Sequence, residues 1–352
     1  MDVLTRLDRD TAALRLRLQT QTRQMSTGYK AEVLGDYGTA QPRLFNLKAD
    51  MARRDAYAQS IGQALARSQA TQTALSRLSE IARKFADDVA MKLDANDVET
   101  IPLYASQARQ ALVEVGQLLN AQANGEYLFA GSDTNTPPVP DASNLDSSAW
   151  VTQIMAAVQG LGTGNAAAVN AATLAVVQDD SAGVSPFSAY FQTGGAGLAE
   201  PQRSVQTADG VTLGFGITVA RNGAAVSQGE TAGGWVRDLI RGLASIAGLT
   251  PVQAADRDTF RDFVTNVRNG LTSASSALAD ESGALGLTEA RLEATKTQHE
   301  TMKTSLTAQV SDIEEVDLAE TLTRLQATRS VLETSYTAIG KLGTLTLAQF
   351  LG

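Results

Sequence analysis

The sequence of 352 residues contains no cysteine and only one histidine. The absence of cysteine excludes disulfides, thiolate metal sites and cysteine nucleophiles, and a single histidine cannot build a multi-histidine zinc site. This histidine, His299, lies in the run KTQHETMK among charged and polar neighbours. We interpret it as a residue of a solvated helix face, and no GxSxG motif accompanies it that would indicate a serine hydrolase.

Long apolar runs are also missing. No segment approaches the ~20 apolar residues of a membrane span, so the sequence predicts no membrane insertion. The first residues, MDVLTRLDRDTAALRLRL, carry charges throughout and lack the apolar core of a secretory signal. The chain is therefore expected either to stay in the cytoplasm or to be exported without a cleaved signal. Its net charge of -9 argues against general nucleic-acid binding.

The motifs that could carry chemistry are weak. Gly160, Gly162 and Gly164 form a GxGxG string, but no strand precedes it and the spacing of a dinucleotide fingerprint is incomplete. We interpret this string as a loop. Adjacent carboxylates such as Glu314 and Glu315 would point to different faces of a helix, which makes them a poor acid/base pair. The sequence therefore predicts no enzyme, no cofactor and no metal site.

The two ends of the chain each carry an apolar ladder with alternating steps of three and four residues. At the front, the ladder consists of Leu4, Leu7, Leu14, Leu18 and Met25, with Thr11 and Gln21 on the remaining rungs. At the back, it consists of Leu318, Leu322, Leu325, Leu332, Tyr336 and Ile339, with Arg329 as a polar rung. A seam that recurs every 3.5 residues requires a partner helix along its whole length, so we interpret the ends as two halves of one coiled coil.

The net charges of the two ends favour their pairing, whereas the free energy of ordering them opposes it. Residues 1–54 contain ten Lys/Arg and six Asp/Glu, a net charge of +4, whereas residues 306–352 contain three and six, a net charge of -3. Ordering ~25 residues costs roughly 25–50 kcal/mol of backbone entropy, while each buried seam side chain returns ~1.5–3 kcal/mol. A pair of terminal helices is therefore not expected to be stable without helices from other subunits.

Helical sequence patterns lie on both sides of a middle region that lacks them. Residues 2–27 predict one helix, which is followed by a glycine-rich connector. Residues 44–124 are rich in helix formers, and Asp94 to Pro102 predicts a break that leaves either two helices or one kinked helix. Helix is predicted again from Trp235, with a break at Gly248 and Pro251 before it resumes to about residue 280, and then from residue 285 to about 340.

The middle region, residues 131–234, is rich in Gly, Ser, Thr and Asn. Its segment 149–178 can hold a helix. Apolar and small or polar residues alternate from Val211 to Val219, which predicts a half-buried strand after the turn Asp209-Gly210. Asn222-Gly223 predicts a hairpin turn. The fold class that follows is mainly α, with long antiparallel helices and a small mixed α/β insert in the middle.

Three stretches carry a family resemblance. Residues 306–351 resemble the C-terminal helix of the bacterial flagellin family and its hook–filament junction relatives, above all through Asp317, Leu318 and Glu320. The run TRQMSTGYK is similar to the end of the N-terminal flagellin helix. The segment NAQANGEYLFAGSDTNTPP resembles the junction relatives through Tyr127, Leu128, Phe129 and Gly131, and the ending in Phe350 also suits them better than filament flagellins.

The resemblance implies a layered architecture. Residues 1–42 with 305–352 would form an inner coiled-coil assembly domain, residues 43–130 with 235–304 a helical rod, and residues 131–234 a variable outer domain. It also implies a flagellar location outside the cell, export through the flagellar type III apparatus and an escort chaperone. The implied partners are further copies of the chain, another hook-associated protein and flagellin subunits.

Alternatives remain open at this point. A filament flagellin is the nearest one, because it differs from a junction protein only in abundance and position. A secreted surface-binding module is another, although Trp150, Tyr190 and a few Phe residues are the only candidates for stacking on a ligand in the insert. An enzyme would require an activity that the substitution His299→Ala abolishes, and we expect none.

The energy balance of the terminal ladders generates a prediction. In the isolated monomer, backbone amides in both terminal ladders should exchange rapidly, because the helix pair buries too little to order itself, and the same amides should become protected on assembly. Hydrogen–deuterium exchange of monomer and assembly, with residues 44–124 as the internal control, measures this difference. Strong protection of both ladders in the monomer would contradict the prediction.

Overall fold

The computed structural model of the protein describes residues 3–223 and 231–351, and the side chains of residues 6–223 and 231–341. The described residues form α1 (Val3–Thr27), α2 (Gln41–Lys92), α3 (Ile101–Leu119), α4 (Ala149–Gln159), α5 (Ala166–Val177), α6 (Trp235–Ala247), α7 (Arg257–Glu314) and α8 (Leu318–Leu351). Two small antiparallel sheets pair β1 (Gln122–Ala123) with β2 (Glu126–Tyr127) and β3 (Ser204–Ala208) with β4 (Val211–Gly214). The predicted mainly α fold with a small α/β region in the middle is confirmed.

The chain divides into two compact units. The first unit contains residues 1–56 and 298–352, and the second contains residues 57–297. In the second unit a single connected core joins Leu75 and Phe85, from the predicted rod, to Trp150 and Phe187, from the predicted insert. The division into an inner domain, a rod and an outer domain stays a prediction.

The break between α2 and α3 lies where the sequence predicts it. The Asp94 carboxylate accepts a hydrogen bond of 2.9 Å from the backbone N–H of Asn96, which turns the chain out of the helix after Lys92. Pro102 occupies the first turn of α3, where its missing N–H costs no helical hydrogen bond. The segment therefore forms two helices rather than one kinked helix.

The glycine string between α4 and α5 is a loop, as predicted. Gly164 adopts a φ of 73°, which glycine reaches without strain. The side chain of Asn165 closes the loop, since it accepts from the N–H of Gly162 and donates to the C=O of Gly160, both at 2.8 Å. The N–H of Gly164 donates to Thr259 Oγ1 at 2.7 Å, so two of the loop's N–H groups, those of Gly162 and Gly164, are engaged by side chains.

The predicted strand Val211–Val219 is wrong in its length, because β4 ends at Gly214. Beyond Gly214, Phe215, Ile217 and Val219 are buried but make no strand ladder. The N–H of Val219 instead donates to the C=O of Phe129 at 3.1 Å. The alternation thus arises from one-sided burial of an extended segment. The predicted hairpin at Asn222-Gly223 would use residues 224–230, which lie outside the described residues.

The last break in the helices is not where the sequence pattern suggests. α7 continues without interruption through residues 280–285, and the chain leaves the helix only at Glu315–Asp317 before α8 begins. The first unit therefore contains α1, the start of α2, the end of α7 and α8.

Gly116 generates a stability prediction. A Cβ at this position in α3 would lie 2.8 Å from the carbonyl O and 3.1 Å from the Cα of Ala142, so Gly116→Ala should destabilise the second unit by about 1–3 kcal/mol. Gly270→Ala in α7 is the matched control, because its Cβ meets no atom within 4 Å and should stabilise the helix by about 0.5–1 kcal/mol. Urea unfolding followed by tryptophan fluorescence measures both changes, since Trp150 and Trp235 are buried in this unit. Equal midpoints for the two variants would contradict the prediction.

Candidate assembly surface

α1 and α8 pack against each other in antiparallel fashion. The N–H of Val316, before α8, donates to the C=O of Gly28, after α1, at 2.9 Å. Further along, Arg15 Nε donates to Tyr336 Oη at 2.5 Å, and the guanidinium carbon lies 5.3 Å from the centre of the tyrosine ring. The two terminal segments therefore form the helix pair that their ladders predict.

On α1 the predicted ladder is the face that packs against α8. Thr11 is buried, and its companions on the ladder are half-buried: Leu7, Leu14, Leu18, Gln21 and Met25. The side chain of Leu4 lies outside the described residues. The alternating steps of three and four residues correctly identify this face of α1.

On α8 the predicted ladder mixes two faces. The rungs that are buried or half-buried are Thr321, Leu325, Thr328, Leu332, Ser335 and Ile339. Of the residues predicted for the seam, Leu318, Leu322 and Tyr336 are 51%, 43% and 41% exposed. Leu318 and Leu322 therefore lie at the edge of the seam instead of in it, and Tyr336 is partly exposed although it contacts Arg15 of α1. The predicted role of all three in assembly stays a prediction. The side chain of Phe350 lies outside the described residues.

The offset between the predicted ladder of α8 and the observed seam has a physical reason. Both ladders on α8 share Leu325, Leu332 and Ile339 and have the same spacing, so periodicity alone cannot separate them. The structure places hydroxyl residues at the alternate rungs, Thr321, Thr328 and Ser335, and leaves Leu318, Leu322 and part of Tyr336 exposed. Small side chains let two helices pack closely, but each of them buries less apolar area than leucine.

The seam between α1 and α8 is consequently only partly apolar. Besides the hydroxyl rungs of α8, Gln21 places its side-chain oxygen in a buried position without a hydrogen-bond partner among the described residues. An unsatisfied buried acceptor costs roughly 1–3 kcal/mol. The pair therefore gains less from burial than an apolar coiled coil of the same length.

Apolar side chains of α8 remain exposed on both flanks of this seam. Leu318, Leu322 and Tyr336 lie on one flank, and Val331 on the other is 51% exposed. A groove of about 290 Å³ next to Val331 is lined by Leu7, Ala338 and small hydroxyl residues. Several large apolar side chains left exposed on one helix are a feature of protein–protein contacts.

The backbone closes the helix pair at one end through a short antiparallel bridge, which we call the clasp and define as residues 28–30 and 314–317. Gly28 ends α1 with a φ of 77° and donates its N–H to the C=O of Gln24 at 2.9 Å. The N–H of Lys30 donates to the C=O of Glu314 at 2.7 Å, and Tyr29 pairs with Glu315. The clasp thus joins the end of α1 to the break between α7 and α8.

Lysine side chains neutralise the end of α7 at the clasp. Lys30 Nζ donates to the C=O groups of Asp312 and Ile313 at 2.6 and 3.0 Å. Lys48 forms an ion pair of 2.5 Å with Glu314, whose side chain is only 15% exposed. A cation at the last carbonyls of a helix satisfies these acceptors and complements the helix dipole.

Asp317 begins α8. Its carboxylate accepts from the N–H of Ala319 at 2.9 Å and from the N–H of Glu320 at 3.1 Å, so it is an N-cap. Glu320 pairs with Arg324 at 2.5 Å on the exposed surface. The Asp-x-x-Glu spacing is a helix-start signal. This local signal locates the break between α7 and α8, which the apolar periodicity does not indicate.

The second motif, around Tyr127, belongs to the second unit. Asn124 and Gly125 have φ values of 53° and 82°, as a tight hairpin between β1 and β2 requires. Arg67 is 8% exposed, and it donates to the C=O of Tyr127 at 2.5 Å and of Leu128 at 3.2 Å. Burial lowers the pKa of Arg67, with a contribution from nearby Arg203, and the Glu126 carboxylate opposes that shift.

The rest of this motif contributes to the core. Phe129 is fully buried, and its ring meets that of Trp235 edge-on at 6.4 Å and 79°. Gly131 adopts a φ of 64°, and a Cβ there would collide with the Glu200 carboxylate. Leu128 is also buried, whereas Tyr127 is half-buried. The motif therefore fixes the path of the chain from α3 into the middle region.

No catalytic or metal-binding constellation emerges from the residues that the structure describes. His299 is 6% exposed, so its interpretation as a residue of a solvated face is wrong. Across the described residues, no three or more His, Asp or Glu side chains converge in a way that could hold a metal ion. None of the described helices has the length and apolarity that a membrane crossing requires.

Residues 269–351 match the family model of the bacterial flagellin C-terminal helical region. This segment is a flagellin-type C-terminal region. The match includes the end of α7, the clasp residues 314–317 and α8. It confirms the resemblance to the flagellin family that Asp317, Leu318 and Glu320 indicate.

Two further comparisons concern the whole chain. A search of curated proteins found no match. A solved structure from Vibrio parahaemolyticus, assigned as a flagellar hook-associated protein, covers 80% of this chain and 100% of that chain at 15% identity, with a TM-score of 0.47. That TM-score is too low for the likeness to carry an argument about fold or role.

The N-cap of α8 generates a prediction. Asp317→Ala removes the acceptor for two backbone N–H groups and should destabilise the first turn of α8 by about 0.5–2 kcal/mol. Amide exchange at Ala319 and Glu320 should then accelerate roughly 2–30-fold. Asp317→Asn keeps an acceptor oxygen and is the matched control, with a smaller acceleration expected. If alanine and asparagine have the same effect, the carboxylate is not the cap.

Proposed function

We propose that this protein is a structural subunit of the bacterial flagellum that joins the hook to the filament and assembles through its terminal helices. The observation that carries the proposal is the flagellin-type C-terminal region, folded into a helix whose exposed apolar side chains its own chain leaves uncovered. Such a surface favours association with further subunits.

The small apolar area buried between α1 and α8 supports the proposed assembly. Its seam alternates apolar rungs with Thr and Ser, and it contains the unsatisfied Gln21 oxygen. Isolated, such a pair buries little apolar area for the backbone entropy that it costs. Neighbouring subunits that cover Leu318, Leu322 and Tyr336 would add the missing burial.

The choice of a junction protein over a filament flagellin rests on a different segment. The run from Asn120 to Pro138 is similar to the end of the second helix in hook-associated protein 3, and its Tyr127-Leu128-Phe129 run is built into the second unit by Arg67 and Trp235. A filament flagellin is the alternative function, because the terminal helix pair suits both roles.

The proposed role includes specific partners. One surface would contact another hook-associated protein, and another would contact the first flagellin subunits of the filament. Before assembly, an escort chaperone would cover the C-terminal helix, and the flagellar type III apparatus would deliver the chain to the outside of the cell. This order keeps the apolar side chains of α8 covered until a neighbour replaces the chaperone.

Deletion of the gene tests the proposed role. We expect cells that build hooks and secrete flagellin into the medium but carry no attached filament, as electron microscopy and blots of the medium would show. Complementation with the full chain should restore attachment. Intact filaments in the deletion strain would contradict the junction role, and loss of flagellin from both cells and medium would favour the filament alternative.

A paired substitution tests the exposed residues of α8. Leu318→Asp with Leu322→Asp replaces two apolar contacts, each contributing about 1.5–3 kcal/mol on burial, so filament attachment should fall at least ~100-fold in complemented cells. Val211→Asp is the control, since Val211 is equally exposed, at 53%, but lies on β4 of the second unit. Circular dichroism of the monomers verifies that both variants fold. Normal attachment with the α8 variant would exclude these leucines from the interface.

A further inference from the structure

Exposed apolar side chains gather around the clasp of the first unit. Tyr29 pairs with Glu315, and Leu318 follows three residues later in the chain. Phe45 lies one helical turn before Lys48, the residue that pairs with Glu314. We call the following residues the clasp surface, all of them at least 43% exposed: Tyr29, Val33, Phe45, Leu318 and Leu322.

Carboxylates flank the clasp in the sequence. Asp312, Glu315 and Glu320 are all exposed, and each lies in the clasp or within three residues of it along the chain. Glu320 pairs with Arg324, whereas neither Asp312 nor Glu315 has an ion-pair partner among the described side chains. The lysines nearby are engaged, since Lys30 caps α7 and Lys48 holds Glu314. At the break between α7 and α8, the clasp surface is therefore an apolar patch flanked by two unpaired carboxylates, Asp312 and Glu315.

The second unit contains an apolar groove whose rim carries positive charge. It occupies about 480 Å³ between the end of α2 and the start of α7. Its apolar lining includes Leu93, Phe260 and Val264, and Met91 at its edge is 74% exposed. We call this feature the α2–α7 groove.

Arginines line the rim of the α2–α7 groove. Arg261 is paired with Asp258 at 2.9 Å. Arg257 and Arg268 are exposed and have no ion-pair partner within the part of the chain that the structure describes. Asp94 also lines the groove, so the positive charge is concentrated at the α7 side. Two unpaired arginines beside an apolar surface favour a partner that is apolar and acidic.

We propose that the clasp surface of one copy docks into the α2–α7 groove of a second copy. Leu318 and its apolar neighbours would cover Met91 and the groove lining, while Asp312 and Glu315 would face Arg257 and Arg268. The contact joins two different surfaces, so each copy still offers one free surface of each kind, and repetition extends an assembly instead of closing a two-fold dimer. This inference rests on the proposed self-assembly and specifies its contacting residues.

The absence of native cysteine allows a direct test. Two single-cysteine variants of the full chain, Met91→Cys and Leu318→Cys, are mixed and oxidised, with a size tag on one of them so that mixed dimers resolve on a gel. Because each chain carries one cysteine, only a contact between copies can produce the mixed disulfide. We expect at least ~10-fold more mixed dimer than from Val211→Cys with Leu318→Cys, in which the partner cysteine replaces a side chain that is 53% exposed on β4, against 74% for Met91.

Charge reversal tests the electrostatic part. Arg257→Glu with Arg268→Glu in the Met91→Cys chain should lower the yield of mixed dimer about tenfold. Asp312→Arg with Glu315→Arg in the Leu318→Cys chain should restore it. All four side chains are exposed, and tryptophan fluorescence verifies that the second unit stays folded.

The outcomes separate this inference from the proposed function. Mixed dimers no more abundant than in the Val211 control would overturn the docking, whether the protein sediments as oligomers or as monomers. The gene-deletion phenotype is independent of this result, because a junction protein can assemble through other surfaces. Cross-linking that charge reversal does not reduce would overturn the assignment of Arg257 and Arg268 to the contact.

Discussion

The seam between α1 and α8 is the constraint on which the arrangement of the first unit depends. Leucine and isoleucine alternate with Thr321, Thr328 and Ser335 along α8, so the helices meet through a narrow apolar line. A wider apolar seam would bury Leu318, Leu322 and Tyr336 within one chain and leave no apolar surface for a neighbouring subunit to cover. The hydroxyl rungs thus set how much apolar surface the chain covers for itself and how much it presents to a neighbour.

The clasp determines how that seam is aligned. A pairing of 3.5-residue repeats can slip by one repeat with little change in apolar contact. The backbone bridge from Gly28 and Lys30 to Glu314 and Val316 fixes the starting point, and every rung follows from there. Arg15 and Tyr336 then meet further along the pair, which sets the same alignment a second time.

Much of the fold could be predicted from the sequence, because helix formers, proline and glycine act locally. The α1 ladder, the break after Lys92 and the glycine loop between α4 and α5 are examples. What could not be predicted depends on tertiary contact. The two ladders of α8 have equal spacing, and the burial of Phe215, Ile217 and Val219 imitates a strand. His299 is buried although its sequence neighbours are polar, since a helix buries one face whatever flanks the residue along the chain.

The caps at the clasp have a consequence for cooperativity. Lys30 satisfies the last carbonyls of α7, and Asp317 satisfies the first amides of α8, so neither helix needs the other to complete its hydrogen bonds. The clasp is therefore a boundary at which unwinding stops. α8 can melt and reform as a separate segment, and the free energy required is confined to that helix and its seam instead of spreading along the 58 residues of α7.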